Sequence, residues 1–119
     1  MNLEVRGIEN AQDLESERLV LKAKVDLDVG RYVVLRVRTV DERLVAGGNV
    51  EAAYWIPDKK VKAGDFIVIY SKSGSSSEKL STDGKTASHF FYWGASQPRW
   101  TPGTAAAIIE AATWALTRP

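Results

Sequence analysis

The chain has no cysteine, one histidine and one methionine in 119 residues, and its charges nearly cancel. Without thiols there is no disulfide, no thiolate ligand for zinc and no cysteine nucleophile. One imidazole among scattered acids is not a metal cluster. "DLDVG" at 26–30 echoes a calcium loop but lacks the third ligand pair and the closing glutamate, so Asp26, Asp28 and Gly30 read as a turn. "GSSS" at 74–77 has neither the second glycine nor the Lys-Ser/Thr of a phosphate-cradling loop. No metal and no cofactor is expected. Sixteen Lys and Arg against fifteen Asp and Glu leave a net charge of +1, so any basic site has to be a local patch. No run approaches the ~18 apolar residues of a membrane span, and the acidic N-terminal stretch lacks the apolar core of a secretion signal. "WALTRP" at the other end carries no lipidation signal. A cytoplasmic protein without membrane partners is the expectation.

Hydrophobic residues at 45% and charged residues at 26% match ordinary globular usage, and the length fits one domain over residues 1–119 with one core. The dominant period is two. "RLVLKAKV" sets Leu19, Leu21, Ala23 and Val25 against Val20, Lys22 and Lys24; "YVVLRVRTV" sets Val33, Leu35 and Val37 against Val34, Arg36 and Arg38. "DLDVGR" between them predicts a hairpin. A third strand is expected near Ala53–Ile56, stopped by Pro57. Phe66–Tyr70 and the "SHFFYWGA" stretch are apolar on both faces and read as interior strands. "AGGN", Ala46 to Asn49, reads as a turn. The polar segment Ser71–Ser88, with a tight turn at Asp83-Gly84, is long for a hairpin connection and reads first as a mobile loop, with a functional loop as the alternative.

In the tail, Thr101-Pro102 and the alanines after it imitate a helix start over Ala105–Leu116. Ala107 and Ile109, then Trp114 and Leu116, equally describe two short strands kinked at Glu110–Thr113. Periodicity leaves both open. The strands before it, with short connections and no helical segment, favour an all-β sandwich or barrel.

The succession "YVVLRVRT", "YWIPDKKVKAGDFIVIYSKSG", "HFFYWG" and "TAAAIIEAATW" resembles the lamin-tail domain family over roughly Arg31 to Leu116. The resemblance implies an immunoglobulin-like β-sandwich and a tail of strands. It also implies a non-catalytic interaction module that binds proteins or DNA. The heptad rod, nuclear-localisation run and C-terminal Cys box of true lamins are missing, so a stand-alone bacterial-type version is expected rather than a filament protein.

The expected partner is another protein, with DNA as the alternative and no small-molecule substrate. Lys22, Lys24, Arg36 and Arg38 are the candidate contacts to nucleic acid or an acidic partner, as the outer face of one hairpin. Like charges opposed across a sheet need neutralising, by an anion or by acids such as Glu15, Glu17, Asp41 and Glu42. Lys59, Lys60 and Lys62 read as protection of an edge. Arg99 and Trp100 in "SQPRW" are the residue types of an interaction anchor, although Trp100 can also fold back over the sandwich end. His89 reads as a hydrogen-bonded core histidine at a strand entrance. A catalytic alternative needs Ser88, Ser96 or a loop serine as nucleophile and Asp83 as orienter, and no local signature accompanies them, so no enzyme is expected. Trp55 or Trp100 as a sugar-stacking platform is a further alternative.

Overall fold

A computed structural model describes residues 1–39 and 45–119, with the backbone alone for 45–49. Its strands are β1 (Leu3–Glu9), β2 (Arg18–Ala23), β3 (Leu27–Asp28), β4 (Tyr32–Thr39), β5 (Val45–Trp55), β6 (Lys60–Val61), β7 (Phe66–Tyr70), β8 (Ser77–Leu80), β9 (Ala87–Tyr92) and β10 (Thr104–Glu110). They form a five-stranded sheet, β1-β2-β7-β9-β8, a three-stranded sheet, β10-β4-β5, and a small β3-β6 pair. Every pairing is antiparallel except β7 with β9. The fold is an all-β sandwich, and among the described residues no helix is long and apolar enough to cross a membrane.

Alternation places the core. Leu19, Leu21 and Ala23 of β2, Ile67 and Ile69 of β7 and Phe91 of β9 are buried against Tyr32 and Val34 of β4, with Ile56, Val61 and Trp100 closing the ends. At roughly 2 kcal/mol for each large side chain removed from water, this cluster dominates the stability of the sandwich.

The expected hairpin between residues 19–25 and 33–37 does not form. β2 belongs to the larger sheet and β4 to the smaller one. The intervening "DLDVGR" pairs with β6 instead, Leu27 opposite Val61. The Asp28 carboxylate accepts hydrogen bonds from the Gly30 N–H (2.8 Å) and the Lys59 N–H (3.0 Å). These bonds turn the chain over the sandwich end. Gly30 is confined there, since a Cβ at this position would lie 2.8 Å from the Asp58 Cα.

Three further expectations change. Ala46–Asn49 is not a turn but lies in the long strand β5. The Ser71–Ser88 segment contains β8, whose four residues are all exposed; with Leu80 its single apolar residue, it offers no period-two signal. Ala105–Glu110 is strand, as the sandwich requires, but Trp114 and Leu116 lie beyond β10 outside any strand. β1, bulged at Gly7, adds an edge that the acidic N-terminal sequence conceals.

Glu17 is fully buried, and its carboxylate takes three donors from three segments: the Gln12 N–H (2.9 Å), the Ser71 hydroxyl and the Arg99 N–H (2.7 Å). Glu17→Ala strands all three, and urea unfolding is expected to show a loss of about 3–5 kcal/mol, with a smaller loss for Glu17→Gln. A loss under about 1 kcal/mol would contradict the clasp role.

Candidate functional site

The four proposed basic contacts do not form one face. Lys22 lies on the outer side of the five-stranded sheet, with its ammonium 5.5 Å from the Phe66 ring centroid, and Lys24 follows it, exposed. Arg36 and Arg38 belong to the other sheet. Tyr32, Val34 and Arg36 share the inward side of β4, because Tyr32 and Val34 are core residues. Arg36 Nε donates to the Arg99 carbonyl (2.5 Å), Nη2 to the Thr101 hydroxyl (3.1 Å), and Nη1 lies 3.5 Å from Glu51. Arg38 pairs with the same carboxylate at 3.1 Å. Glu51 is therefore shared by both arginines and balances one of their two charges. Of the acids expected in that role, Glu17 is buried elsewhere, Glu15 lies 4.0 Å from Lys72, and Asp41 and Glu42 lie outside the described residues.

Trp100 is no surface anchor. It is buried and meets Trp93 edge to face, with centroids 5.9 Å apart, while the Arg99 guanidinium stacks over Trp93 at 5.2 Å. The loop is drawn inward because the Arg99 backbone bonds Glu17 on one side and Arg36 on the other. Lys59 reaches Glu78 at 3.4 Å, and Lys60 flanks the buried Val61.

His89 is a buried histidine at the start of β9. Nε2 lies 2.9 Å from Asp65, whose carboxylate also accepts from the Lys62 N–H (3.1 Å) and the Ala87 N–H (2.9 Å). Burial alone pushes the Asp65 carboxyl up. The hydrogen bonds from His89, Lys62 and Ala87 and the charge of His89 more than offset it and hold the carboxyl below the usual aspartate value. Asp65 thus stays ionised and accepts a hydrogen bond from the His89 Nε2–H, leaving Nδ1 without a hydrogen-bond partner, 3.8 Å from Glu78. His89 lines a recess of about 300 Å³ with Lys62, Asp65, Glu78, Lys85 and Thr86. The serines of the catalytic alternative are not assembled there. Ser88 alternates to the other face of β9, Ser96 is exposed in a loop, and Asp83 accepts from Ser81 and the Lys85 N–H instead of meeting the imidazole.

The unexpected feature is the outer side of the small sheet. Cross-strand partners share a face, so the register sets Ile109, Val33 and Trp55 in one row and Ala107, Leu35 and Ala53 in the next; beyond them Ala105 lies beside Val37, which is buried. Every member is apolar. Trp55 is 42% exposed and Ile109 48%, and Trp114 from the tail meets Trp55 edge to face at 5.1 Å while itself 53% exposed. The Trp55 indole N–H donates to the Gly30 carbonyl (2.7 Å), which fixes its ring. Of the three residues read as core, Val37 is buried, next to the irregularity between Arg36 and Val37, whereas Val33 and Leu35 are only partly buried on the outer side; residues 32–35 are apolar on both sides, so their pattern leaves the inward side open. The missed signal is that the following arginine has acceptors waiting inside.

The larger sheet also shows an outer face. Phe66, Tyr70, Phe90 and Tyr92 are only partly buried on it, so β9 is not covered on both sides as expected. Tyr70 and Tyr92 stack at 5.4 Å, with Arg18 and Lys72 over Tyr70 and Lys22 over Phe66.

Because Asp65 is more acidic in the folded chain than its unfolded value of about 4, it stabilises the fold above that pH and the contribution fades as pH falls through the folded value. Asp65→Asn is therefore expected to lower stability at pH 7 and to flatten the acid side of the stability profile below about pH 4. Thermal melts over an acid series check this, and an unchanged acid slope would count against it. Among known proteins, no protein-family model matches the chain and no curated protein matches it.

Proposed function

We propose that the chain is a non-catalytic protein-interaction module that docks its partner on the outer face of the three-stranded sheet. One observation carries this reading: Val33 and Leu35 of β4, Trp55 and Ala53 of β5 and Ile109 and Ala107 of β10 form two apolar rows on the outer side, and Trp55, Ile109 and Trp114 on that face remain about half exposed. Contiguous exposed apolar surface of this kind marks an interaction site, and a tryptophan whose ring is fixed by a hydrogen bond loses little entropy on docking. The lamin-tail resemblance implies the same class of role.

The opposite face supports a second reading. Stacked Tyr70 and Tyr92 beside Phe66 and Phe90, with Arg18, Lys22 and Lys72 among them, have the composition of a platform for single-stranded nucleic acid. It ranks second because Arg18 already pairs with Glu9 at 2.6 Å and Lys72 lies 4.0 Å from Glu15.

The test compares the native chain with Trp55→Ala and Ile109→Asp. A partner captured from the host lysate, then purified and rebound, is expected to hold equally at roughly 50 and 200 mM salt and to lose at least tenfold in affinity with either variant, both still folded by thermal melting. If rebinding is indifferent to both substitutions, the docking face is wrong. If labelled single-stranded DNA binds at the lower salt and is released at the higher one, the second reading replaces the first.

A further inference from the structure

Sheet edges present unpaired backbone groups, and proteins ordinarily blunt them with charge, proline, bulges or shortness. Two edges here are treated in that way. β1 carries Glu4, Arg6 and Glu9 and is bulged at Gly7; β8 has four residues and includes Glu78 and Lys79. β5 is bulged twice against β4. β10 has none of these devices. It is seven residues long, pairs with β4 in unbroken register, and reads Thr-Ala-Ala-Ala-Ile-Ile-Glu, with no charge before its last position and no proline. Among the described residues β4 is its only strand partner, so the backbone groups of Ala106, Ile108 and Glu110 point to an open edge, while the Thr104 N–H turns back to the Thr101 carbonyl (3.1 Å).

We propose that this edge pairs with β10 of a second copy of the chain, antiparallel about a two-fold axis at Ala107. The strand is complementary to its own reverse in that register. Ala107 faces Ala107 of the second copy, Ala106 faces Ile108, Ala105 faces Ile109, and Thr104 faces Glu110. Each bulky isoleucine meets a small alanine on both faces of the sheet, and no like charges are opposed. An unrelated strand has no reason to match this small-to-large order, whereas a second copy supplies it by symmetry. The product is a six-stranded sheet, β5-β4-β10-β10-β4-β5, whose two apolar outer faces join into one surface. The edge carries this inference, and it holds whether or not the outer face docks a partner.

Sedimentation velocity of the native chain is expected to shift from one chain to two between roughly 1 and 100 μM, the weak range suited to a small interface. The double variant Ala105→Lys with Ile109→Lys opposes two ammonium groups in each symmetry-related pair and should stay monomeric, whereas Ala105→Glu with Ile109→Lys opposes opposite charges and should restore the dimer. The chain has no native cysteine, so Ala107→Cys is a clean reporter. Opposed side chains at the axis lie about 5 Å apart and should oxidise to a disulfide-linked dimer. Ala105→Cys places the two thiols about 13 Å apart along the strands and should not cross-link. Trp55→Ala should leave the dimer intact. A native chain that stays monomeric at 100 μM overturns the proposal, as does equal cross-linking at positions 105 and 107.

Discussion

The central strand β7 is anchored at both ends by buried carboxylates, and much of the molecule is arranged around that constraint. At its start, Asp65 accepts hydrogen bonds from Lys62, Ala87 and His89, while its own carbonyl accepts from the Ala23 N–H (2.9 Å), so the ends of β2 and β9 and the entry from β6 meet there. Just past its other end, Ser71 donates to Glu17, which also holds the loops at Gln12 and Arg99. A buried carboxylate is costly unless its lone pairs are filled, and here each takes two backbone N–H groups and one side chain, with Ala87, His89, Ser71 and Arg99 coming from segments distant in sequence. Each anion therefore works as a long-range clasp in a chain without disulfides.

The clasp at Glu17 also links the two sheets. Arg99 is bound to Glu17 through its N–H and to Arg36 of the opposite sheet through its carbonyl, and the same loop carries Trp100 into the core beside Trp93. Arg36 thus serves the interior, with Glu51 and Thr101 taking its remaining donors. This satisfied network explains why a charged residue alternates with Tyr32 and Val34 on the core side. It also explains why the opposite parity of β4, and with it the outer side of the small sheet, is left for Val33 and Leu35. The apolar face is the consequence of an inward arginine.

The aromatic stretch 88–100 divides along the same lines. His89, Phe91 and Trp100 are interior, the first because Asp65 meets its imidazole and the last because its loop is tied down. Phe90 and Tyr92 instead look outward on a face that no further layer covers among the described residues, beside Tyr70 and the cations above it. Aromatic density alone did not separate these cases, because a ring under water and cations and a ring in a core satisfy the same hydrophobic pattern.

Local patterning was enough to determine that this is an all-β chain. Period-two alternation in residues 19–23, the doubly apolar run 66–70, the stop at Pro57 and the buried side of residues 87–93 were all legible, because each is dictated by neighbours within a few positions. The absence of thiols and of an imidazole cluster was equally legible. Which strands pair was not. The predicted hairpin became a crossover because Asp28 finds Lys59, and β8 was invisible because an exposed edge needs no apolar residues. Nor was the orientation of β4, where adjacent residues are apolar on both faces and the choice turns on acceptors contributed by Glu51, Arg99 and Thr101 from elsewhere in the chain. Tertiary structure decided those points, since only folding brings together the partners that make one face of a two-faced strand the inside.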